Sequence, residues 1–150
     1  MCVNFEGKLF KDGNFWPVYV SVLEICTQGR SKKDAYMMIK DAVEIHLEYN
    51  LKHKIKVVVM PMPNNKFILR ASNEKNDKYL MALMLRRQRE KYGLTVDKVA
   101  RRLGVTKRTY AKYEQARSLP SLAQIEKYIR AMDNHAHVVL NILEEKEECF

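Results

Sequence analysis

The sequence predicts an α+β protein: a small sheet packed by one helix, followed by a half built only of helices. Three observations carry this expectation. Residues 3–22 alternate apolar and polar side chains with the period of a half-buried strand, on both sides of an Asp12-Gly13 turn signal. Residues 32–49 switch to helical spacing and lead to the β-branched run I-K-V-V-V-M at 55–60. After the polar stretch A-S-N-E-K-N-D at 71–77, helical periodicity continues to the end.

Segment 3–9, V-N-F-E-G-K-L, is the expected first strand. Gly13 tolerates the positive φ of a tight turn, so W-P-V-Y-V-S-V at 16–22 returns as the second, with Trp16, Val18, Val20 and Val22 on one side. Pro17 has no N–H to donate, which assigns it to an edge strand or a strand start. Leu23, Ile25 and Thr27 continue as a short third strand that Gly29 ends. Ser31 reads as an N-cap with Asp34 three residues on, close to a capping box. Ala35, Met38, Ile39, Ala42, Ile45 and Tyr49 define the face expected to pack on the sheet, and Asn50 its stop. After the strand at 55–60, Pro61, Pro63 and Asn64-Asn65 make a loop, and F-I-L-R at 67–70 is a short strand or an extended lead-out. The order is βββαβ with a possible fifth strand, over residues 1–71, followed by a linker at 72–77.

Residues 78–150 are expected to hold about five helices. The first begins at Tyr79, Leu80, Leu83 and Met84 and closes at Gly93. Thr95 caps a second through Leu103, and Thr106 a third through about Gln115. Pro120-Ser121 opens a fourth with Leu122, Ile125, Tyr128 and Ile129 on one face. A C-terminal helix near 135–147 carries Val138, Val139, Ile142 and Leu143.

The 150 residues suffice for one ordinary domain or two small ones, and 47% hydrophobic with 30% charged residues fits a globular chain with a modest core. No apolar run is long enough to span a membrane and no signal-peptide pattern opens the chain, so a cytoplasmic protein without membrane partners is expected. The three cysteines are odd in number and widely spaced, which argues for reduced thiols and against a disulfide framework or zinc site. His135 and His137 have no nearby ligand partner; no metal and no cofactor are expected. The net charge of +9 is unevenly spread. Residues 76–133 hold 14 Lys and Arg against 6 Asp and Glu, a concentrated basic block whose natural partner is phosphate.

That block contains L-T-V-D-K-V-A-R-R-L-G-V-T-K-R-T-Y-A-K-Y-E at 94–114, the layout of two short helices crossing steeply with almost no connector. Ala100 is small where they approach, Gly104 frees the turn, and Val99, Leu103, Val105, Tyr110 and Tyr113 fall where a three-helix core needs them. With R-E-K-Y-G-L-T before it and R-S-L-P-S-L after it, the stretch from about Leu83 to Met132 resembles the phage-repressor-like helix-turn-helix family of the Xre or Cro/C1 type. The resemblance implies that Lys107, Arg108, Ala111 and Lys112 reach base edges and that Thr106 and Arg117 hold phosphates. Where the family often has a phosphate-touching Gln, this chain has Val96, which leaves Thr95 and backbone amides for that contact. Arg89 and Glu114 match a family pair that braces the first helix against the third.

In the front half, D-G-N-F-W, L-E-I-C-T-Q-G-R-S-K-K-D-A and K-D-A-V-E, within residues 3–60, resemble the HicB antitoxin family. The resemblance implies a partial RNase H-like fold that oligomerises and binds a small HicA-type toxin, an mRNA-cleaving ribonuclease. A nuclease of this shape needs carboxylates converging from strands and helix to hold two metal ions. Here the strand after the helix offers only a lysine, and Asp34, Asp41, Glu44 and Glu48 are spaced for a solvated helix face. No enzyme is therefore expected. A toxin of this kind is expected to be basic, so these four carboxylates are its candidate contacts, with Tyr19 or Phe15 as an aromatic anchor. The combined expectation is an antitoxin that also represses its own operon, as a homodimer or higher oligomer on operator DNA. The competing expectation is a standalone regulator whose front domain dimerises or senses a ligand.

Overall fold

The computed structural model describes residues 2–142. Its front half holds strands β1 (Asn4–Leu9), β2 (Trp16–Val20) and β3 (Ile25–Gly29), helix α1 (Lys32–Leu51), and strands β4 (Val57–Met62) and β5 (Lys66–Ala71). Helices α2 (Asp77–Lys91), α3 (Val96–Leu103), α4 (Lys107–Glu114) and α5 (Leu122–Met132) form the back half. The fold class is α+β, as expected, and the possible fifth strand is real: the order is βββαββ.

The strands form one sheet in the order β3-β2-β1-β5-β4, with every pairing antiparallel. β3 and β4 are thus the two edges, and α1 must cross the whole sheet to join them. Its 20 residues span about 30 Å at about 1.5 Å per residue, enough to cross five strands spaced about 4.8 Å apart. Pro17 is the second residue of β2, which lies between β1 and β3, so it marks a strand start and not an edge. Asn64 and Asn65 both take positive φ, which Asn tolerates, and return the chain from β4 to β5.

Three expectations of detail are corrected. First, the alternation after β2 does not run on to Val22. Ser21–Leu23 form a single 3₁₀ turn, and Glu24 adopts a left-handed conformation. This resets the parity, so Leu23 and Ile25 are buried and Val22 is exposed. Second, α1 is rotated relative to its expected face. Ala35, Tyr36, Ile39, Val43, Leu47 and Leu51 are buried, while Met38, Ile45 and Tyr49 face solvent. Third, residues 135–142 form no helix; residues 143–147 of the expected last helix lie outside the described residues. The described back half therefore has four helices.

The polar stretch at 72–77 does not separate the halves. Residues Glu74–Asn76 form a 3₁₀ turn, and Asp77 is the first residue of α2. Asp77 is buried, and its carboxylate accepts the Val3 N–H at 2.9 Å. α2 then buries Leu80, Met81, Ala82, Leu83, Met84 and Leu85 in succession. Six consecutive buried residues cover the whole circumference of a helix, so α2 is enclosed on all sides. It packs against α1, β5 and the Ser21–Leu23 turn on one side and against α4 and α5 on the other, and one apolar core runs through both halves.

Candidate nucleic-acid interface

α3 and α4 are only eight residues each, and their ends are built locally. Thr95 Oγ1 accepts the Lys98 N–H at 3.1 Å at the start of α3. Gly104 ends it at φ 70°, and the Val105 N–H reaches back to the Ala100 carbonyl, a glycine-dependent helix stop. Thr106 then caps α4 by accepting the Thr109 N–H at 3.2 Å. At the far end Ala116 takes φ 55°, and the Arg117 N–H donates to the Lys112 carbonyl, which folds Arg117 back beside α4.

The inner side of α4 is an aromatic core. Tyr110 is fully buried, and Tyr128 of α5 lies 5.4 Å from its ring and 5.3 Å from that of Tyr113. Burial pushes the Tyr110 phenol well above its ordinary pKa, so it stays neutral. Val99 and Ala100 are buried as expected, but Val105 is exposed, because the turn after Gly104 directs it outward. The Arg89 guanidinium grips the buried Glu114 carboxylate with hydrogen bonds of 2.9–3.0 Å and donates to the Leu94 carbonyl at 2.9 Å. Burial alone would lower the Arg89 pKa; the adjacent Glu114 charge outweighs it and holds the pKa above its ordinary value. The bracing role expected of this pair fits that geometry.

The outer side of α4 is cationic. Lys107, Arg108, Ala111 and Lys112 line an open concavity of ≈ 670 Å³ with Gln115, Arg117 and Ser118. Five of the expected contact residues thus share one surface. Thr106 sits at its rim as the α4 cap, while Thr95 caps α3 outside it. Gln115 was not anticipated, although it lies four residues after Ala111 and hence on the same helix face. Lys112 Nζ lies 4.8 Å over the Tyr113 ring. Lys107 and Arg108 open α4 with no carboxylate in its first turn. Cations there face the positive end of the helix dipole, an arrangement that costs about 0.3–1 kcal/mol in isolation and that an incoming anion reverses.

The four carboxylates of α1 divide into two pairs. Asp34 accepts the Arg30 N–H at 2.8 Å, so it anchors the chain entering α1 instead of closing a capping box on Ser31. Glu44 accepts the Val57 N–H at 3.1 Å and pairs with Lys56 at 3.3 Å, tying α1 to β4. Asp41 and Glu48 have no hydrogen-bond or ion-pair partner among the described residues. They line a shallow concavity with Glu44, Ile45, Lys54 and Lys56, and Asp34 does not. Phe15 is exposed, whereas Tyr19 is half-buried. Among the described residues no group of three or more His, Cys, Asp or Glu converges as metal ligands, and no helix is long and apolar enough to cross a membrane.

A family model for a helix-turn-helix domain matches residues 80–134, which covers α2 from Leu80 through α5. No curated protein matches the chain. The back half is therefore a helix-turn-helix domain, and α4 is its second, solvent-presenting helix.

Proposed function

We propose that the protein is a transcriptional repressor and antitoxin: α4 reads operator DNA of its own operon, and the front domain binds and neutralises an mRNA-cleaving toxin. The observation that carries the DNA half is the first turn of α4. It combines Lys107 and Arg108 with no acid, on a capped helix whose opposite side is locked into an aromatic core. Such a turn is complementary to phosphate and to guanine edges. Arg108 and Lys107 read bases, Thr106 and Arg117 hold phosphates, and the chain acts as a dimer on half-sites about 34 Å apart. Arg108→Ala is expected to cost about 1–3 kcal/mol at one base position and to relax preference there, whereas Arg117→Ala weakens binding to all sequences alike. Fluorescence anisotropy on the protein's own promoter DNA and single-base variants measures both; an unchanged preference for Arg108→Ala overturns the base-reading role.

The antitoxin half rests on the residues T-Q-G-R-S-K-K-D-A and the helix they open, and on carboxylates of α1 that do not converge for catalysis. In this reading the front domain is a binding module and not an enzyme. Co-expression with the product of a neighbouring small basic reading frame tests it: growth is rescued if the chain is the antitoxin. Failure of rescue, with promoter binding intact, leaves the standalone regulator.

A further inference from the structure

The two edges of the sheet are built differently. At the β4 edge, the Ser72 N–H donates to the Lys56 carbonyl, which turns the backbone groups of Lys56, Val58, Met60 and Met62 toward β5. Val57, Val59 and Pro61 therefore point their backbone groups outward. The Val57 N–H is already held by Glu44, and Pro61 has no N–H to offer, so Val59 alone keeps an open donor. Such an edge resists a further strand. At the β3 edge, the Phe10 N–H donates to the Pro17 carbonyl, so Pro17 and Tyr19 address β1 while Trp16, Val18 and Val20 address β3. Their partners Gly29, Thr27 and Ile25 turn back toward β2. Cys26 and Gln28 are left presenting N–H and C=O to solvent, with no hydrogen-bond partner for them among the described residues. The strand is I-C-T-Q-G, regular in register, without charge and without proline, so it carries none of the devices that blunt an edge.

Self-complementarity selects the occupant. An antiparallel pair of β3 strands about a two-fold axis at Thr27 sets Cys26 opposite Gln28 of the second copy, and Gln28 opposite Cys26 of that copy. Both are hydrogen-bonded pairs, so every outward N–H and C=O of Cys26 and Gln28 is used. Thr27 meets its own equivalent at the closer, non-hydrogen-bonded spacing, where Thr–Thr pairs are favourable. Glu24 and Arg30 lie three residues to either side of Thr27, so the acid of each copy falls at the base of the other. The Arg30 guanidinium has no ion-pair partner among the described residues, and Glu24 pairs with Lys91 at 3.0 Å. Exposed pairs of this kind add little affinity, but like charges at those positions would oppose the register. A foreign strand would have to match the open groups and the flanking charges by its own sequence; a second copy matches both by symmetry. We propose that β3 pairs with β3 of a second copy of this chain, joining two five-stranded sheets into one of ten strands. The pairing uses none of the α4 residues and supplies the dimer that the DNA-binding reading assumes.

Analytical sedimentation of the full chain and disulfide trapping test it. The wild-type chain is expected to sediment as a dimer at micromolar concentration. Gln28→Pro removes an outward N–H and sets a ring on the edge while leaving the bonds to β2 in place. It is expected to raise the dimer dissociation constant at least tenfold, with an unchanged circular dichroism spectrum. Trapping reads the same pairing without a proline. Thr27→Cys, in a chain whose Cys2, Cys26 and Cys149 are replaced by Ser, puts two thiols on Cα atoms about 4.5 Å apart, within disulfide reach. Oxidised glutathione should cross-link this variant between chains. Cys26 lies diagonal to its own equivalent, about 7–8 Å away, so a chain retaining Cys26 alone should cross-link at least tenfold more slowly. A monomeric wild-type chain, a dimer indifferent to Gln28→Pro, or trapping at Cys26 as fast as at position 27 overturns the pairing about Thr27. A wild-type chain that dimerises in this way yet does not bind its promoter DNA overturns the DNA-binding reading alone.

Discussion

At Gly29 a methyl group has nowhere to go. A Cβ built there would lie 2.3 Å from the Ala35 nitrogen and 2.7 Å from its Cα, both backbone atoms held in the first turns of α1. The T-Q-G-R-S stretch is legible in sequence as a strand end and a helix start. The reason for its glycine is not, because the crowding comes from a residue six positions away. Gly29→Ala is expected to destabilise the protein by about 1–3 kcal/mol, read as a lower urea midpoint with unchanged slope. Gly7 is constrained differently: its added Cβ would enter the fully buried ring of Phe67 on the neighbouring strand. The residues of α4 were legible one by one, since capping threonines, a stop glycine and outward cations are each local signals. Arg86 was not. Its guanidinium donates to the Asn50 carbonyl at 3.0 Å and the Glu114 carbonyl at 3.4 Å, and no local pattern announces a side chain that bridges the ends of two distant helices.

At the scale of elements, α1 shows where periodicity stops being decisive. The helix holds two apolar sets, one stepping by four from Ala35 to Leu51 and another through Met38, Ile45 and Tyr49. Spacing alone allows either to face the sheet. The first set wins because it keeps Val43, Leu47 and Leu51 in line with the strands along the full crossing, and Tyr36 adds an edge-on contact to Phe67 at 5.8 Å. The two faces are expected to differ sharply in mutational cost. Leu47→Ala should lose about 2–5 kcal/mol, and Ile45→Ala should stay within about 0.5 kcal/mol of wild type, both measured by denaturant unfolding. Equal costs would contradict this orientation of α1. α2 taught the opposite lesson: its start and stop were readable, but six consecutive buried residues make sense only for a helix enclosed by two partners.

At the scale of the whole molecule, α2 makes two readable halves into one body. Arg87 donates to the carbonyls of Leu23 at 2.9 Å and Glu24 at 2.7 Å, and Gln88 donates to that of Val22 at 2.8 Å. Lys91 pairs with Glu24 at 3.0 Å. The turn that resets the parity after β2 thus supplies acceptors for the helix that carries α4. At the other end of α2, burial raises the Asp77 carboxyl above its ordinary value of 3.8, against the lowering effect of the Val3 N–H. A raised folded pKa gives stability that is present below the unfolded value and lost as pH rises through the folded one. Thermal melts from pH 3.5 upward should therefore show Asp77→Asn, which cannot titrate, gaining on the wild type across that window; parallel curves would contradict it. What the sequence by itself determined was local: strand alternation, capped helix starts, the helix-turn-helix and its cationic face, because these depend on residues within one or two turns of each other. The rotation of α1, the sharing of α2, the capture of Asp34 and Glu44 by the fold and the exposure of Met38, Ile45 and Tyr49 were decided only by tertiary structure. Each depends on which surfaces compete for the same core, and that competition is settled between residues far apart in the chain.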